Sequence, residues 1–223
     1  MPFSNAYKQL LVYALACGAA MVSSAAEMIK ANGELDRGSY IIANVFSARS
    51  IDYYTLKGGG PESYKPEFTS HGFRYFEISA PTTTIETNVV VKAIGNSMPL
   101  QAHFDSSSKV LNEIYQGYVW VQRDNSIFFP MGCNNRAERH PWVLDAQVTE
   151  QAAMLYFGAQ GFYEKWLNDF LDGEMANGFM AVVVPNQRGG TDPIWAAAAA
   201  TLAWDHFASY GDTAVAGHYY PSP

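Results

Sequence analysis

The character of this chain changes at residues 96–111, which read Asn96-Ser97-Met98-Pro99-Leu100-Gln101-Ala102-His103-Phe104-Asp105-Ser106-Ser107-Ser108-Lys109-Val110-Leu111. Before this stretch, apolar residues tend to alternate with polar ones, which is the period of a β-strand. After it, they recur every three or four residues, which is the period of an amphipathic helix. Pro99 interrupts the first pattern, and Asp105 or Ser106 is expected to cap the first helix. Residues 96–105 are therefore the predicted boundary between a β portion and an α portion.

The β portion consists of short runs of β-branched and aromatic residues that are separated by turn-forming residues. The runs cover residues 27–30, 40–45, 52–56, 73–78 and 87–93. Their spacing predicts an antiparallel β-sandwich segment over residues 27–98. His71 and Arg74 lie at the entrance of one run, where we expect them to tie loops together by hydrogen bonds.

Residues 1–26 have the pattern of a secretory signal peptide. Lys8 is followed by an apolar run over residues 10–20 and then by small residues up to Ala26. The run is too short to span a membrane comfortably. This interpretation predicts a secreted or periplasmic protein. The alternatives are a buried helix, or a chain start that reads into the interior of a domain.

The α portion, residues 104–223, contains further helical patterns after the first helix. They predict helices over residues 144–157, 161–171 and 193–210, and Gly211 is expected to end the last one. Trp166, Trp195 and Trp204 recur among these helices. We expect them to pack in the interior of a helical array.

Charged side chains cluster with a histidine and a tryptophan in residues 132–147, in a chain whose charges are otherwise scattered. A tryptophan offers a flat apolar face to a pyranose ring, and Asp and Arg hold hydroxyls by charge-assisted hydrogen bonds. The cluster is therefore a candidate sugar site. The alternative is an exposed group of ion pairs at a helix entrance, which stabilises by about 0–1 kcal/mol. The stretch reads Gly132-Cys133-Asn134-Asn135-Arg136-Ala137-Glu138-Arg139-His140-Pro141-Trp142-Val143-Leu144-Asp145-Ala146-Gln147.

Glu138 has the chemistry of a general acid that protonates a departing glycosidic oxygen, provided that its pKa is raised toward neutrality. The neighbouring Arg136 and Arg139 act against that role, because positive charge favours the ionised carboxylate. The acid role therefore requires the two arginines to point elsewhere, or desolvation against Trp142 to outweigh them.

The order of these residues resembles the signature of the α-L-rhamnosidases of glycoside hydrolase family 78, which reads Asp-Cys-Pro-Gln-Arg-x-Glu-Arg-x-Gly-Trp-x-Gly-Asp-Ala. Gly132 stands where the family has an Asp that holds substrate hydroxyls, and Pro141 and Leu144 each stand for a Gly. Ala197 also departs, since the family tends to have an Asp there. The matching residues are Cys133, Arg136, Glu138, Arg139, Trp142, Asp145 and Ala146.

Other parts of the chain follow the order of the same family. Residues 52–78 resemble the sandwich segment that precedes its helical domain, and residues 165–169, 183–185 and 210–212 resemble its helices. The resemblance extends over residues 26–220. It implies an α+β multidomain fold, in which an antiparallel β-sandwich segment is followed by an incomplete (α/α)6-type helical barrel. A partial barrel leaves apolar helix faces uncovered.

The resemblance implies a glycoside hydrolase that removes terminal α-L-rhamnose from glycosides or polysaccharides by an inverting acid/base mechanism. Glu138 is then the catalytic general acid, and the substrate-binding residues are Arg136, Arg139, Trp142 and Asp145. An inverting enzyme also needs a second carboxylate as general base. The resemblance does not identify it here, and Asp145 is more plausible as a hydroxyl binder.

Four other carboxylates are conceivable bases, namely Glu150, Glu164, Asp169 and Asp192. The alternative to an active enzyme is a catalytically inactive truncated homologue, or a remnant that only binds carbohydrate. The missing base, Gly132 and Ala197 favour that alternative. We therefore expect the 223-residue chain to hydrolyse α-L-rhamnosides weakly or not at all.

Composition excludes several other functions. The net charge of −7 and the pI near 5.1 argue against nucleic acid and anionic membrane as partners, because no basic stripe is present. Cys17 and Cys133 are far apart and offer neither a disulfide framework nor a zinc motif. The five histidines show no metal-binding spacing. We therefore expect no metal and no cofactor.

Overall fold

The computed structural model describes residues 7–15, 20–26, 28–36, 38, 51–80, 86–133, 139–185 and 190–219, without the side chains of residues 7–25 and 86–87. The chain forms two compact units. The β unit comprises Met1–Gly95 and Cys133–Arg139, and the helical unit comprises Asn96–Gly132 and His140–Pro223. The first division falls between residues 95 and 96, next to the predicted boundary at residues 96–105, and the predicted domain limits stay a prediction.

The described part of the β unit contains antiparallel strands that form two larger sheets and a small hairpin. The predicted antiparallel β arrangement is confirmed, although the run at residues 40–45 lies outside the described residues. The strands are β1 Tyr7–Leu15, β2 Ala20–Ala26, β3 Met28–Ile29, β4 Leu35–Asp36, β5 Ile51–Thr55, β6 Glu62–Tyr64, β7 His71–Gly72, β8 Tyr75–Ser79 and β9 Glu86–Ala93.

Each of the larger sheets is built around one strand. β1 pairs with β9 from Lys8↔Ala93 to Leu15↔Glu86, and it also pairs with β6 and β7. β2 lies between β5 and β8. The hairpin of β3 and β4 turns at Asn32-Gly33, where Gly33 has a φ of 87°, a conformation that glycine adopts without steric cost.

β1 and β2 come from residues 1–26, which we interpreted as a signal peptide. Both strands are central in their sheets, so the predicted start of the sandwich at residue 27 is wrong. A short apolar run is typical of a strand inside a sheet as well as of a signal peptide, and the pattern alone does not separate them. The expected secreted or periplasmic location is not tested by these strands and stays a prediction.

The helical unit contains α1 Lys109–Asp124, α2 Val143–Tyr156, α3 Gln160–Asp172, α4 Pro193–Tyr210 and α5 Thr213–Tyr219. The three helices predicted after α1 are confirmed to within one residue at each end. α5 was not predicted, since it is only seven residues long. No helix in the described ranges is long and apolar enough to cross a membrane.

Local residues determine where these helices begin and end. Asp192 Oδ1 accepts hydrogen bonds from the backbone N–H groups of Ile194 (2.9 Å) and Trp195 (3.2 Å) and so caps α4. Gly211 ends that helix with a φ of 70°. The cap predicted for α1 at Asp105 or Ser106 is wrong, because α1 follows Ser108, whose side chain makes no capping hydrogen bond.

The core of the helical unit is aromatic and aliphatic. Trp166 is fully buried on α3, and its indole N–H donates to the Val184 carbonyl at 3.0 Å.

Trp195 is only half-buried and Trp204 is 56% exposed, so the expected interior position is wrong for Trp204. The expected uncovered apolar faces are present on three helices: Val110, Ile114 and Val121 on α1, Val148 and Leu155 on α2, and Ile194 and Trp204 on α4.

Candidate functional site

The polar stretch at residues 132–147 is divided between the two units. Cys133–Arg139 belongs to the β unit, whereas Gly132 and the residues from His140 onward belong to the helical unit. Arg136 and Glu138 lie outside the described residues. The expectation that residues 136, 138, 142 and 145 line one concave site therefore stays a prediction.

In the helical unit, backbone hydrogen bonds fix the part of the stretch that leads into α2. The N–H groups of Gly132 (3.1 Å) and Trp142 (3.0 Å) both donate to the His140 carbonyl. Val143 N–H donates to the Val182 carbonyl at 3.0 Å, and Trp142 forms a β-bridge with Val183. The start of α2 is thus held by main-chain bonds on both sides of Trp142.

Gly132 lies directly against the first turn of α2. A β-carbon at this position would lie 3.0 Å from Cδ1 of Trp142 and 3.4 Å from Oδ1 of Asp145. The structure therefore brings residues 132, 142 and 145 together. Because residue 132 is a glycine, it supplies only backbone beside the exposed carboxyl group of Asp145.

Trp142 packs edge to face against Trp195, with ring centroids 5.4 Å apart and planes at 68°. His140 packs against the same indole at 6.1 Å. Both tryptophans are half-buried, and each lies at the beginning of a helix. An apolar ring surface beside a carboxylate is the arrangement that binds a sugar ring together with its hydroxyls.

The pairing of Trp142 with Trp195 was missed from the sequence, where Trp195 was assigned to the interior. A local signal was available, since Asp192-Pro193 marks a helix start as clearly as the motif marks the start of α2. Two helix starts that each carry a tryptophan are more consistent with a site than with a core.

Arg139, a predicted substrate-binding residue, is bonded inside the β unit. Its Nη2 lies 3.4 Å from Nδ1 of His71, and His71 Nε2 lies 2.8 Å from Oδ2 of Asp52. The Nε atom of Arg139 is buried and has no hydrogen-bond partner within the described residues. His71 thus makes polar contacts within the β unit, but its contact with Asp52 joins strands β7 and β5 and not the loops that we expected it to tie.

Three of the four conceivable bases have other roles. Asp169 pairs with Lys165, and Asp192 caps α4. Glu150 is fully buried on α2, where burial and the adjacent Asp205 carboxyl raise its pKa to about 10. Glu150 is therefore protonated at neutral pH and does not act as a base there.

A cavity of about 670 Å³ lies elsewhere in the helical unit and includes none of the predicted site residues. Its lining combines the residues after the β unit with parts of α3 and the loop after α1: Asn96, Ser97, Met98, Pro99, Ile127, Phe128, Gly158, Gly161, Phe162 and Lys165. In the part of the chain that the structure describes, no three His, Cys, Asp or Glu residues are grouped so as to hold a metal ion.

Two family models match the chain. The bacterial α-L-rhamnosidase concanavalin-like domain matches residues 11–95, and the bacterial α-L-rhamnosidase 6 hairpin glycosidase domain matches residues 100–223. The border between the two matches coincides with the border between the two units.

The curated proteins that match this chain are also α-L-rhamnosidases. An α-L-rhamnosidase of Streptomyces avermitilis is 34% identical over 188 residues, which is 83% of this chain and 18% of that protein. An α-L-rhamnosidase of Alteromonas sp. is 30% identical over 193 residues, 84% of this chain and 21% of that protein. The chain thus spans about a fifth of the length of the curated relatives it matches.

Solved structures resemble the chain over nearly all of its length. An α-L-rhamnosidase from Dictyoglumus thermophilum has a TM-score of 0.79 at 32% identity, covering 96% of this chain and 24% of that one. The Streptomyces avermitilis α-L-rhamnosidase complexed with L-rhamnose has a TM-score of 0.77 at 27% identity. That match covers 97% of this chain and 21% of the other chain. An α-L-rhamnosidase from Aspergillus terreus has a TM-score of 0.81 at 26% identity, covering 97% and 25%.

Proposed function

This chain belongs to the bacterial α-L-rhamnosidase family, and from that premise we propose that it is part of a glycoside hydrolase that removes terminal α-L-rhamnose from glycosides or polysaccharides. The observation that carries the proposal is the group of Gly132, Trp142 and Asp145 at the start of α2, beside Trp195. A sugar ring packs on the indole surface, and the Asp145 carboxylate accepts hydrogen bonds from its hydroxyls.

Glu138 is the proposed general acid, because it lies between Gly132 and Trp142 in the chain, at the position of the matching glutamate in the family signature. It donates a proton to the glycosidic oxygen as the bond to the anomeric carbon breaks. The acid role requires the neighbouring arginines to point elsewhere. The contact of Arg139 Nη2 with His71 Nδ1 at 3.4 Å supports this requirement for Arg139.

The proposed reaction inverts the configuration at the anomeric carbon. Water attacks from the face opposite the leaving group, and a general base accepts its proton; the two carboxyl groups of inverting enzymes lie about 6.5–9.5 Å apart. Because the chain spans about a fifth of its relatives, we expect the base from the longer protein. Glu150, Asp169 and Asp192 are unsuitable, since each is protonated or already paired.

The experiment is to express the coding sequence extended to the length of the relatives and to assay an aryl α-L-rhamnoside. Proton NMR of the first product should show β-L-rhamnose, which then equilibrates to the anomeric mixture. If the first product is α-L-rhamnose, the inverting mechanism is wrong. If aryl rhamnosides are untouched while aryl glycosides of another sugar are cleaved, the substrate assignment is wrong.

A second candidate is a carbohydrate-binding homologue without turnover. Gly132 favours it, because a glycine supplies no side chain to the space beside Trp142 and Asp145. Saturable quenching of tryptophan fluorescence by L-rhamnose, without release of the aryl group by the extended protein, is the result that this alternative predicts.

A further inference from the structure

A buried polar contact joins the two larger sheets of the β unit. Asp52 lies on β5 and His71 on β7, which belong to different sheets. His71 Nε2 and Asp52 Oδ2 are 2.8 Å apart, and the two side chains are 8% and 14% exposed. A hydrogen bond of this length, shielded from water, holds the imidazole ring in a fixed orientation.

The second ring nitrogen of His71 faces Arg139, at 3.4 Å from Nη2. A guanidinium has five N–H donors and no acceptor, so Nδ1 must accept this hydrogen bond. Nε2 then carries the ring proton and donates it to Asp52. The two neighbours therefore select one neutral tautomer, and the chain of donors runs from Arg139 through His71 to Asp52.

The backbone of Arg139 has a strained conformation. Its φ is 42°, in the left-handed region that residues with a β-carbon rarely adopt. Such a conformation persists where surrounding contacts fix it. The side chain of this strained residue contacts His71, and Arg139 directly follows Glu138 in the chain.

We propose that His71 and Asp52 are positioning residues that hold Arg139, and that Arg139 anchors the end of the motif instead of binding sugar. The proposal rests on the proposed function only in assigning Glu138 as the acid. It changes the role of Arg139 from substrate ligand to support for the neighbouring acid. The contacts that carry it lie within the β unit.

The test uses two substitutions that each keep one half of the imidazole. In His71→Asn the side-chain oxygen takes the place of Nδ1 and still accepts from Arg139, whereas in His71→Gln the amide nitrogen takes the place of Nε2 and still donates to Asp52. Trypsin must withdraw the Arg139 side chain before it cleaves the Arg139–His140 bond. Cleavage after Arg136 in the same stretch serves as the internal reference.

We expect native-state cleavage after Arg139, relative to Arg136, to rise about tenfold or more in His71→Gln, the factor that follows from losing one charge-assisted hydrogen bond. It should rise little in His71→Asn and in the exposed control Arg74→Gln. Nitrogen-15 NMR of the wild type should show His71 as the neutral tautomer with the proton on Nε2. Equal cleavage in His71→Asn and His71→Gln, or a proton on Nδ1, would overturn the proposal.

Neither readout uses rhamnoside turnover, so a failure of the proposed activity leaves this test intact. In the extended protein, His71→Gln should lower kcat for an aryl α-L-rhamnoside and change KM by less than about twofold, since a positioning residue acts on the transition state and not on sugar binding. A raised KM with an unchanged kcat would show instead that Arg139 binds the sugar.

Discussion

Asp52 in the β unit and Glu150 in the helical unit are both carboxyl groups removed from water, and their surroundings differ. Asp52 accepts a hydrogen bond from His71, which is itself bonded to Arg139. Neither oxygen of Glu150 makes a hydrogen bond of ordinary geometry to any described residue. The β unit therefore supports its part of the motif by a polar chain, and the helical unit supports its part by packing and main-chain bonds.

This difference has energetic consequences. A paired buried carboxylate stabilises the fold through its partner, and removing the partner lowers the free energy of unfolding. A buried carboxyl group that faces another carboxyl group, as Glu150 faces Asp205, remains in the fold as the neutral acid, and it lowers stability at any pH where it would ionise in the unfolded chain. Substitutions of the two residues should thus change stability in opposite directions.

The largest effect is expected in the buried core of the helical unit. Trp166→Ala removes a fully buried indole and its hydrogen bond to Val184, and it should lower the free energy of unfolding by about 3–5 kcal/mol. Urea denaturation followed by circular dichroism at 222 nm measures this. Trp204→Ala is the matched control; because Trp204 is 56% exposed, it should change stability by about 0.5 kcal/mol or less. Equal losses in the two variants would contradict the core assignment.

Glu150→Gln should stabilise the protein at neutral and alkaline pH. The folded-state pKa is about 10 against the ordinary 4.5, so below pH 4.5 both states are protonated and the group contributes nothing. Between the two values the unfolded chain releases a proton that the folded chain keeps, and stability falls as pH rises. At pH 7 the cost is about 3.5 kcal/mol at most, from about 1.4 kcal/mol per pKa unit. Urea midpoints from pH 5 to 9 should show this slope in the wild type and a smaller slope in Glu150→Gln.

Asp52→Asn is the counterpart of Glu150→Gln in the β unit, and it should destabilise the fold. It replaces a charged acceptor by an amide, and the hydrogen bond from His71 loses its charge assistance, at a cost of about 1–3 kcal/mol. If Asp52→Asn stabilised the fold as Glu150→Gln does, the contrast between the two units would be wrong.

The smallest effect concerns the indole pair at the candidate site. Trp142 and Trp195 pack edge to face at 5.4 Å, an arrangement that contributes about 0.5–1.5 kcal/mol beyond burial. A double-mutant cycle of Trp142→Leu and Trp195→Leu should return a coupling energy in that range. The cycle of Trp142→Leu with Trp204→Leu is the control and should be additive within error.

The sequence was sufficient to predict those features of the fold that neighbouring residues determine. Helix α4 was predicted with the correct ends because Asp192, Pro193 and Gly211 mark them within a few residues. The residue order from Cys133 to Ala146 was sufficient to identify the family. The sequence did not predict the strands at residues 7–15 and 20–26, since periodicity does not distinguish a central strand from a signal peptide.

Contacts between distant parts of the chain could not be predicted in this way. His71 and Arg139 are separated by 68 positions, and no local pattern relates them. The raised pKa of Glu150 depends in part on Asp205 of α4, which lies 55 positions further along the chain. Pairings of this kind are decided by the tertiary arrangement and not by propensity.

We propose Glu138 as the general acid of an α-L-rhamnoside hydrolase. The most direct measurement compares wild type with Glu138→Gln in the extended protein, using dinitrophenyl and methyl α-L-rhamnosides. A leaving group that departs without a proton does not need the acid, so turnover of the methyl rhamnoside should fall by about 10²–10⁴-fold and that of the dinitrophenyl rhamnoside far less. Equal losses on both substrates, or no loss on the methyl rhamnoside, would contradict the assignment of Glu138.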